Sequence, residues 1–206
     1  ADRVKLLGAF WDVCNAIAYA HSRGVVHRDI KPENVMVGEF GETVLLDWGV
    51  AKVRGQRDIR AYDIQKELRL LQKANEGHTA AGTAIGTPSY MSPEQARGEI
   101  EDIDERSDVW GLGAVLYELL TGRPPYKAET PMQTILMVGE DPIVPVLERC
   151  PEAPPELAAV VEKALQKDKQ QRHQSSKRFS DEVGAYMTGE RVSSYDYSAW
   201  ELLKRF

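Results

Sequence analysis

The chain has 206 residues, enough for one domain or one large piece of one, and 42% of them are hydrophobic, an ordinary share for a globular core. Its 26 lysines and arginines stand against 32 aspartates and glutamates, a net charge of -6 with no basic stripe, which argues against nucleic acid as the main partner. The sequence shows no signal-peptide pattern and no apolar run of bilayer length. Its two cysteines, Cys14 and Cys150, are far apart, and its four histidines lack metal-ligand spacing, so reduced structural thiols are expected and a zinc site is not.

Residues 2 to 23 read as a helix, with Leu6, Leu7, Phe10, Val13, Cys14, Ile17 and Ala20 at helical spacing and Gly24 placed to end it. The chain is in this helical pattern from its first residue, Ala1, and so reads as a segment of something longer. Val25-Val26 lead into the stretch His27-Arg28-Asp29-Ile30-Lys31-Pro32-Glu33-Asn34. Val35-Met36-Val37 and Val44-Leu45-Leu46 are short β-type runs joined by Gly38-Glu39-Phe40-Gly41-Glu42, a hairpin-like connection, and Asp47-Trp48-Gly49 stands at the end of the second run. Residues 54 to 77 are charged, with Ile59, Ile64, Leu68 and Leu71 roughly helically placed, and read as a surface helix. Residues 77 to 87, rich in Gly, Ala and Thr, read as a mobile loop.

Ser107 to Leu120 carries the strongest helical signal. Ser107 is a candidate cap, and Gly122 with Pro124-Pro125 stops the helix. Its apolar residues point in nearly every direction, which makes it a buried central post, while its short length, Asp108 and Glu118 argue against a membrane span. Helices are further expected at 131–139, 155–168 and 176–188, with a Pro-rich loop from Pro142 to Pro155. The tail 189–206 is polar before it ends in Trp200-Glu201-Leu202-Leu203-Lys204-Arg205-Phe206.

The stretch from His27 to Asn34, followed thirteen residues later by Asp47, supplies an acid, a lysine, an amide and a second carboxylate at fixed spacing between apolar runs. That set can hold metal-bound phosphates beside a hydroxyl nucleophile. A two-carboxylate glycosidase using Asp29 and Asp47 would leave Lys31 and Asn34 without a role.

Five segments in order carry a resemblance: HRDIKPEN (27–34), DWG (47–49), GTPSYMSPE (86–94), DVWGLG (108–113) and the Arg172 of KDKQQR. Over about residues 1–188 the chain resembles the large, C-terminal lobe of eukaryotic-like (Hanks-type) bacterial Ser/Thr protein kinases. The resemblance implies a mainly α fold with a small β-hairpin region, the N-terminal lobe being absent. It implies a kinase C-lobe at 1–188, an activation segment at 47–94 with an inserted charged helix at about 54–77, and a tail or juxtamembrane-like linker at 189–206. No Gly-rich phosphate loop and no VAIK-type lysine are found in the sequence, and these belong to the small lobe.

The implied activity is transfer of the ATP γ-phosphoryl group to protein Ser/Thr hydroxyls, with Mg²⁺, once a small lobe completes the site. The alternative is a catalytically incompetent binding or scaffold module. By resemblance, Asp29 orients the substrate hydroxyl and accepts its proton, and Lys31 faces the transferring phosphoryl group. Asn34 and Asp47 hold the metal and, with Lys31, the nucleotide. Met36 lies beneath the adenine, although an ordinary core methionine reads the same way. Trp48 replaces the usual Phe of DFG. Thr87 hydrogen-bonds near Asp29 and helps to select Ser/Thr. Arg28 can bind a phosphate on the activation segment, with Thr79 and Thr83 as candidate phosphosites. His27, Glu94, Asp108 and Arg172 are supports: Glu94 pairs with Arg172 as a buried ion pair, and Asp108 braces the His27-Arg28 backbone. Ser92 stands where the family usually has Ala. The implied partners are a protein substrate and a small lobe or a partner supplying one, and the implied location is cytoplasmic, with the parent protein tethered to a membrane beyond Phe206.

Overall fold

In this computed structural model the described residues are 2–56, 58 and 88–198. They form α1 (Asp2–Ser22), β1 (Val25–Val26), β2 (Val35–Val37), β3 (Thr43–Leu45), β4 (Lys52–Val53), α2 (Pro93–Ala96), α3 (Glu105–Thr121), α4 (Pro131–Glu140), α5 (Val146–Arg149), α6 (Pro155–Ala164) and α7 (Ser176–Thr188). Single 3-10 turns occur at Pro32–Asn34, Pro88–Tyr90 and Ile100–Asp102. Most of the helix expected at 54–77, the loop expected at 77–87, and Thr79, Thr83 and Thr87 lie outside the described residues.

The core is built around α3, in which every residue from Ser107 to Tyr117 is buried. Its two glycines mark close approaches. A Cβ on Gly111 would sit 3.0 Å from the Ile30 Cβ, and one on Gly113 would sit 2.7 Å from the Ala164 Cβ. The post therefore touches the His27–Asn34 stretch on one side and α6 on another. The helix begins earlier than Ser107. Asp104 is the N-cap, accepting from the Arg106 N–H at 2.9 Å, and Ser107 reciprocates by accepting from the Asp104 N–H at 3.4 Å. A carboxylate at the N-cap satisfies orphan donors and faces the positive end of the helix. Gly122 closes the other end with φ 74°, the left-handed cap that glycine adopts without strain.

α1 packs along α7, where Phe10 meets Phe179 edge-on with ring centroids 6.1 Å apart and the Trp11 indole N–H donates to the Ser180 carbonyl at 3.1 Å. α6 ends at Ala164 rather than at 168 for a local reason. The carbonyls of Gln166 and Lys167 accept from the Arg172 guanidinium at 2.8 and 3.2 Å, so the backbone turns to serve the arginine. The Pro-rich loop contains the single turn α5, whose first N–H, on Val146, is taken by Glu162 at 3.1 Å.

β2 and β3 pair antiparallel, with Val35 opposite Leu45 and Val37 opposite Thr43, so the second strand starts one residue earlier than the apolar run suggests. β1 and β4 form a second antiparallel pair, Val25 opposite Val53, which the sequence reading lacks. It ties the chain after Asp47 back to the chain before His27. Residues 189–198 are packed against α7: Val192 is 1% exposed, and Glu182 accepts from the Ser193 hydroxyl at 2.7 Å and the Ser194 N–H at 2.9 Å. Cys14 and Cys150 are free and buried, and burial pushes the Cys14 thiol up. Among the described residues no helix is long and apolar enough to cross a membrane.

Candidate active site

The loop from His27 to Asn34 is held from below by α3. The Asp108 carboxylate, 1% exposed, accepts from the His27 N–H at 2.7 Å and the Arg28 N–H at 2.8 Å. His21 Nε2 lies 2.7 Å from the same carboxylate, while its Nδ1 meets the Ser176 hydroxyl at 2.8 Å. A buried carboxylate is tolerable when its lone pairs are used in this way. Gln95 of α2 donates to the Arg28 carbonyl at 2.7 Å. With both backbone groups taken, Arg28 is held at φ 70°, a left-handed conformation that a residue with a Cβ adopts only where its surroundings impose it.

His27 is fully buried and hydrogen-bonded on both ring nitrogens. Nδ1 accepts from the Asp29 N–H at 3.2 Å, so Nε2 carries the proton that faces the Leu46 carbonyl, also at 3.2 Å. Trp48 packs its ring against this imidazole, centroids 4.5 Å apart, and anchors its own N–H on the Leu45 carbonyl at 3.2 Å. The aromatic that replaces Phe thus sits on the histidine of the loop.

Three of the expected residues meet directly. Lys31 Nζ is 2.7 Å from Asp29 Oδ2, and Asn34 Nδ2 donates to the same oxygen at 3.0 Å and to the Asp29 carbonyl at 2.8 Å. The 3-10 turn Pro32–Asn34 sets this spacing: Pro32 fixes its start, and the Asn34 N–H returns to the Lys31 carbonyl at 3.1 Å. The hairpin then brings Asp47 close, because the Leu46 N–H donates to the Asn34 carbonyl at 2.8 Å and Asp47 follows at once. Asp47 also has a positive φ, 57°, and its Oδ1 accepts from the Gly49 N–H at 3.2 Å.

This donor set suits a hard cation. With Nδ2 committed to Asp29, the oxygen of Asn34 is the atom left for a ligand, and Asp47 adds a carboxylate. Mg²⁺ takes few protein oxygens and completes its shell with phosphate and water. Beside them the apolar face of the β2–β3 hairpin is open: Met36 is 59% and Val44 49% exposed. The reading of Met36 as an ordinary core methionine is therefore corrected.

Glu94, in α2, lies against the central post. Both of its oxygens accept from Arg172, NH1 and NH2 each at 2.9 Å, and the Ser107 hydroxyl adds a bond at 2.7 Å. Burial works against the Glu94 charge, but the Arg172 bonds and charge, with Ser107, outweigh it and hold the carboxyl below its usual range. The Arg172 guanidinium also lies 5.0 Å from the Trp110 ring centroid. Ser92, where Ala is usual, is the N-cap of α2 and forms a capping box with Gln95, the residue that holds Arg28.

Arg28 is where the structure adds most to the sequence. Its side chain is fully buried and already has an anion: NH1 and NH2 both bind the Asp58 carboxylate, the NH2 bond at 3.2 Å, and Nε donates to the Val50 carbonyl at 2.6 Å. Asp58 lies 30 residues away in a charged stretch, where no spacing marks it out from its neighbours. Gln95 and His21, likewise unforeseen, contribute through hydrogen bonds between distant segments. Thr87 belongs to the expected site but not to the described residues.

Comparison with known proteins shows the family to which the chain belongs. The sequence pattern of the protein kinase domain matches residues 4–182. The chain is 37% identical over 196 residues to the serine/threonine-protein kinase PknD of Protochlamydia amoebophila, covering 90% of this chain and 19% of that protein. It is 40% identical over 166 residues to the serine/threonine-protein kinase PknB of Mycolicibacterium smegmatis, covering 80% and 23%. PknB of Mycobacterium tuberculosis is 36% identical over 180 residues, covering 87% and 26%. The chain thus spans about a fifth to a quarter of the length of these relatives. It belongs to the protein kinase domain family, among the Hanks-type bacterial Ser/Thr kinases.

Proposed function

We propose that the chain is the large lobe of a Ser/Thr protein kinase and transfers the γ-phosphoryl group of ATP to protein hydroxyls when a small lobe, in the same polypeptide or from a partner, closes over it. The observation that carries this reading is the shared Asp29 oxygen, which receives both Lys31 and Asn34. Asp29 is the carboxylate of the loop on which Lys31 and Asn34 converge, and a hydroxyl placed at it has a proton acceptor beside a fixed cation. Lys31 meets the charge on the transferring group. Asn34 and Asp47 hold Mg²⁺, which neutralises phosphate charge. The exposed Met36 supplies an apolar floor for the base of the nucleotide, and Thr87 contributes to hydroxyl selection. Domain limits of 1–188, an activation segment at 47–94 and a cytoplasmic location, with the parent tethered to a membrane beyond Phe206, belong to the same reading.

A second reading, a binding or scaffold module without catalysis, draws on one feature. The apolar hairpin face, with Phe40 95% exposed, is a surface that a partner could cover. One assay separates the two. The chain joined to the small lobe of one of its relatives is supplied with labelled ATP, Mg²⁺ and a protein substrate, and the labelled amino acids are identified. Label on Ser or Thr that requires Mg²⁺ and is lost on Asp47→Asn is the expected result. Label on Tyr, or none while the nucleotide binds, contradicts the kinase reading and favours the module.

A further inference from the structure

The Arg28 guanidinium is fully buried, and its partner Asp58 has a side chain only 12% exposed. A charge so placed needs a counter-ion, since an unpaired buried guanidinium is strongly destabilising. A carboxylate matches the planar fork of arginine bidentately, and it does so here, with one oxygen on NH1 and the other on NH2. The third bond, from Nε to Val50, fixes the backbone three residues after Asp47. The Arg28 backbone cannot shift to suit another partner, because Asp108 holds its N–H and Gln95 its carbonyl. Any other anion would have to displace Asp58 from this edge.

We propose that Asp58 is the built-in counter-ion of Arg28, a positioning residue that fastens the segment after Asp47 to the loop carrying Asp29 without a phosphate. Two neighbouring ties act in the same direction: the β1–β4 pair and the ion pair between Arg54 and Glu105. Among the described residues, Arg28, which stands next to Asp29, holds this segment directly through Val50 and Asp58. The anion at position 58 therefore keeps the Arg28 guanidinium where it binds Val50 and, through Val50, sets the placing of Asp47. The consequence for catalysis rests on the kinase reading, whereas the counter-ion role does not.

The test is chemical rescue by an anion. Thermal unfolding of the chain is followed in inorganic phosphate at constant ionic strength for wild type, Asp58→Ala and the double variant Arg28→Ala/Asp58→Ala. The expected result is a melting point about 5 °C or more lower in Asp58→Ala. About 10–50 mM phosphate should recover a large part of that loss, with no matching shift in wild type or the double variant. If Asp58→Ala does not fold, Asp58→Asn, which keeps the shape and loses the charge, carries the same comparison. An unchanged melting point in Asp58→Ala, or equal phosphate response in all three proteins, overturns the proposal. In the form completed by a small lobe, phosphoryl transfer should fall about tenfold or more in Asp58→Ala, return in part with phosphate, and be retained in Asp58→Glu. Loss of transfer that phosphate and Glu both leave unrepaired, despite a restored melting point, overturns the positioning role. Absence of transfer in wild type strikes the kinase reading instead.

Discussion

Glu94 and Arg172 show how one residue pair joins distant parts of the chain. Arg172 is 2% exposed and reaches Glu94, two backbone carbonyls of the turn after α6, and the Arg106 carbonyl at the start of α3. Removing one partner of such a pair leaves an uncompensated buried charge, so Arg172→Ala should cost about 3–5 kcal/mol. The pH dependence has a definite sign. The Glu94 carboxyl is held below its ordinary value of 4.5, so the pair contributes stability above that pH and loses it as pH falls through the lowered value. In Arg172→Ala only burial and the remaining bonds act, and burial raises the carboxyl instead. This group then favours folding as the pH drops. Urea unfolding of both proteins between neutral pH and about pH 3 measures the slope. Parallel slopes would contradict the pairing account. At this scale the sequence was legible where chemistry is local. Asp29, Lys31 and Asn34 fall within six residues, and the 3-10 turn Pro32–Asn34 starts directly after Lys31, so their meeting follows from the backbone. Asp58 meets Arg28 only because β4 folds back on β1, and a two-residue strand has no periodicity to read.

Among the elements, α3 is the one whose sequence carried the clearest message. Apolar residues on all its faces predicted burial, and Gly122 predicted its end. Its start was misread because Ser107 is a good capping residue in its own right. The capping box uses both residues, and Asp104, three positions earlier, is the true cap. The glycines of α3 follow from packing, since neither has a positive φ. Gly113→Ala should destabilise by about 1–3 kcal/mol, because a methyl group would press on Ala164 at 2.7 Å and on Leu165 at 3.2 Å. The better helix propensity of Ala, worth about 1 kcal/mol, is the opposing effect. A melting point equal to or above wild type would show that α6 yields. The packed segment after α7 was hidden for another reason. Its anchors are one buried valine and the two serines held by Glu182, and polar residues in a row read as solvated chain.

Over the whole molecule, the fold serves to present one loop. α3 supplies Asp108 beneath it, α1 supplies His21 behind Asp108, α2 supplies Gln95 beside it, and the hairpin carries Asn34 at one end and leads to Asp47 at the other. The order of these parts was legible because five motifs fall in sequence. The helix expected at 54–77 and the loop expected at 77–87 lie mostly outside the described residues. The central claim is that Asp29 acts on the substrate hydroxyl while neighbouring residues hold the nucleotide. The most direct measurement compares Mg-ATP affinity and phosphoryl transfer in wild type and Asp29→Asn, each joined to a small lobe. The account predicts an affinity within about threefold of wild type and transfer lower by about 10²–10⁴. Transfer that survives Asp29→Asn, or affinity and transfer that fall together, would contradict it.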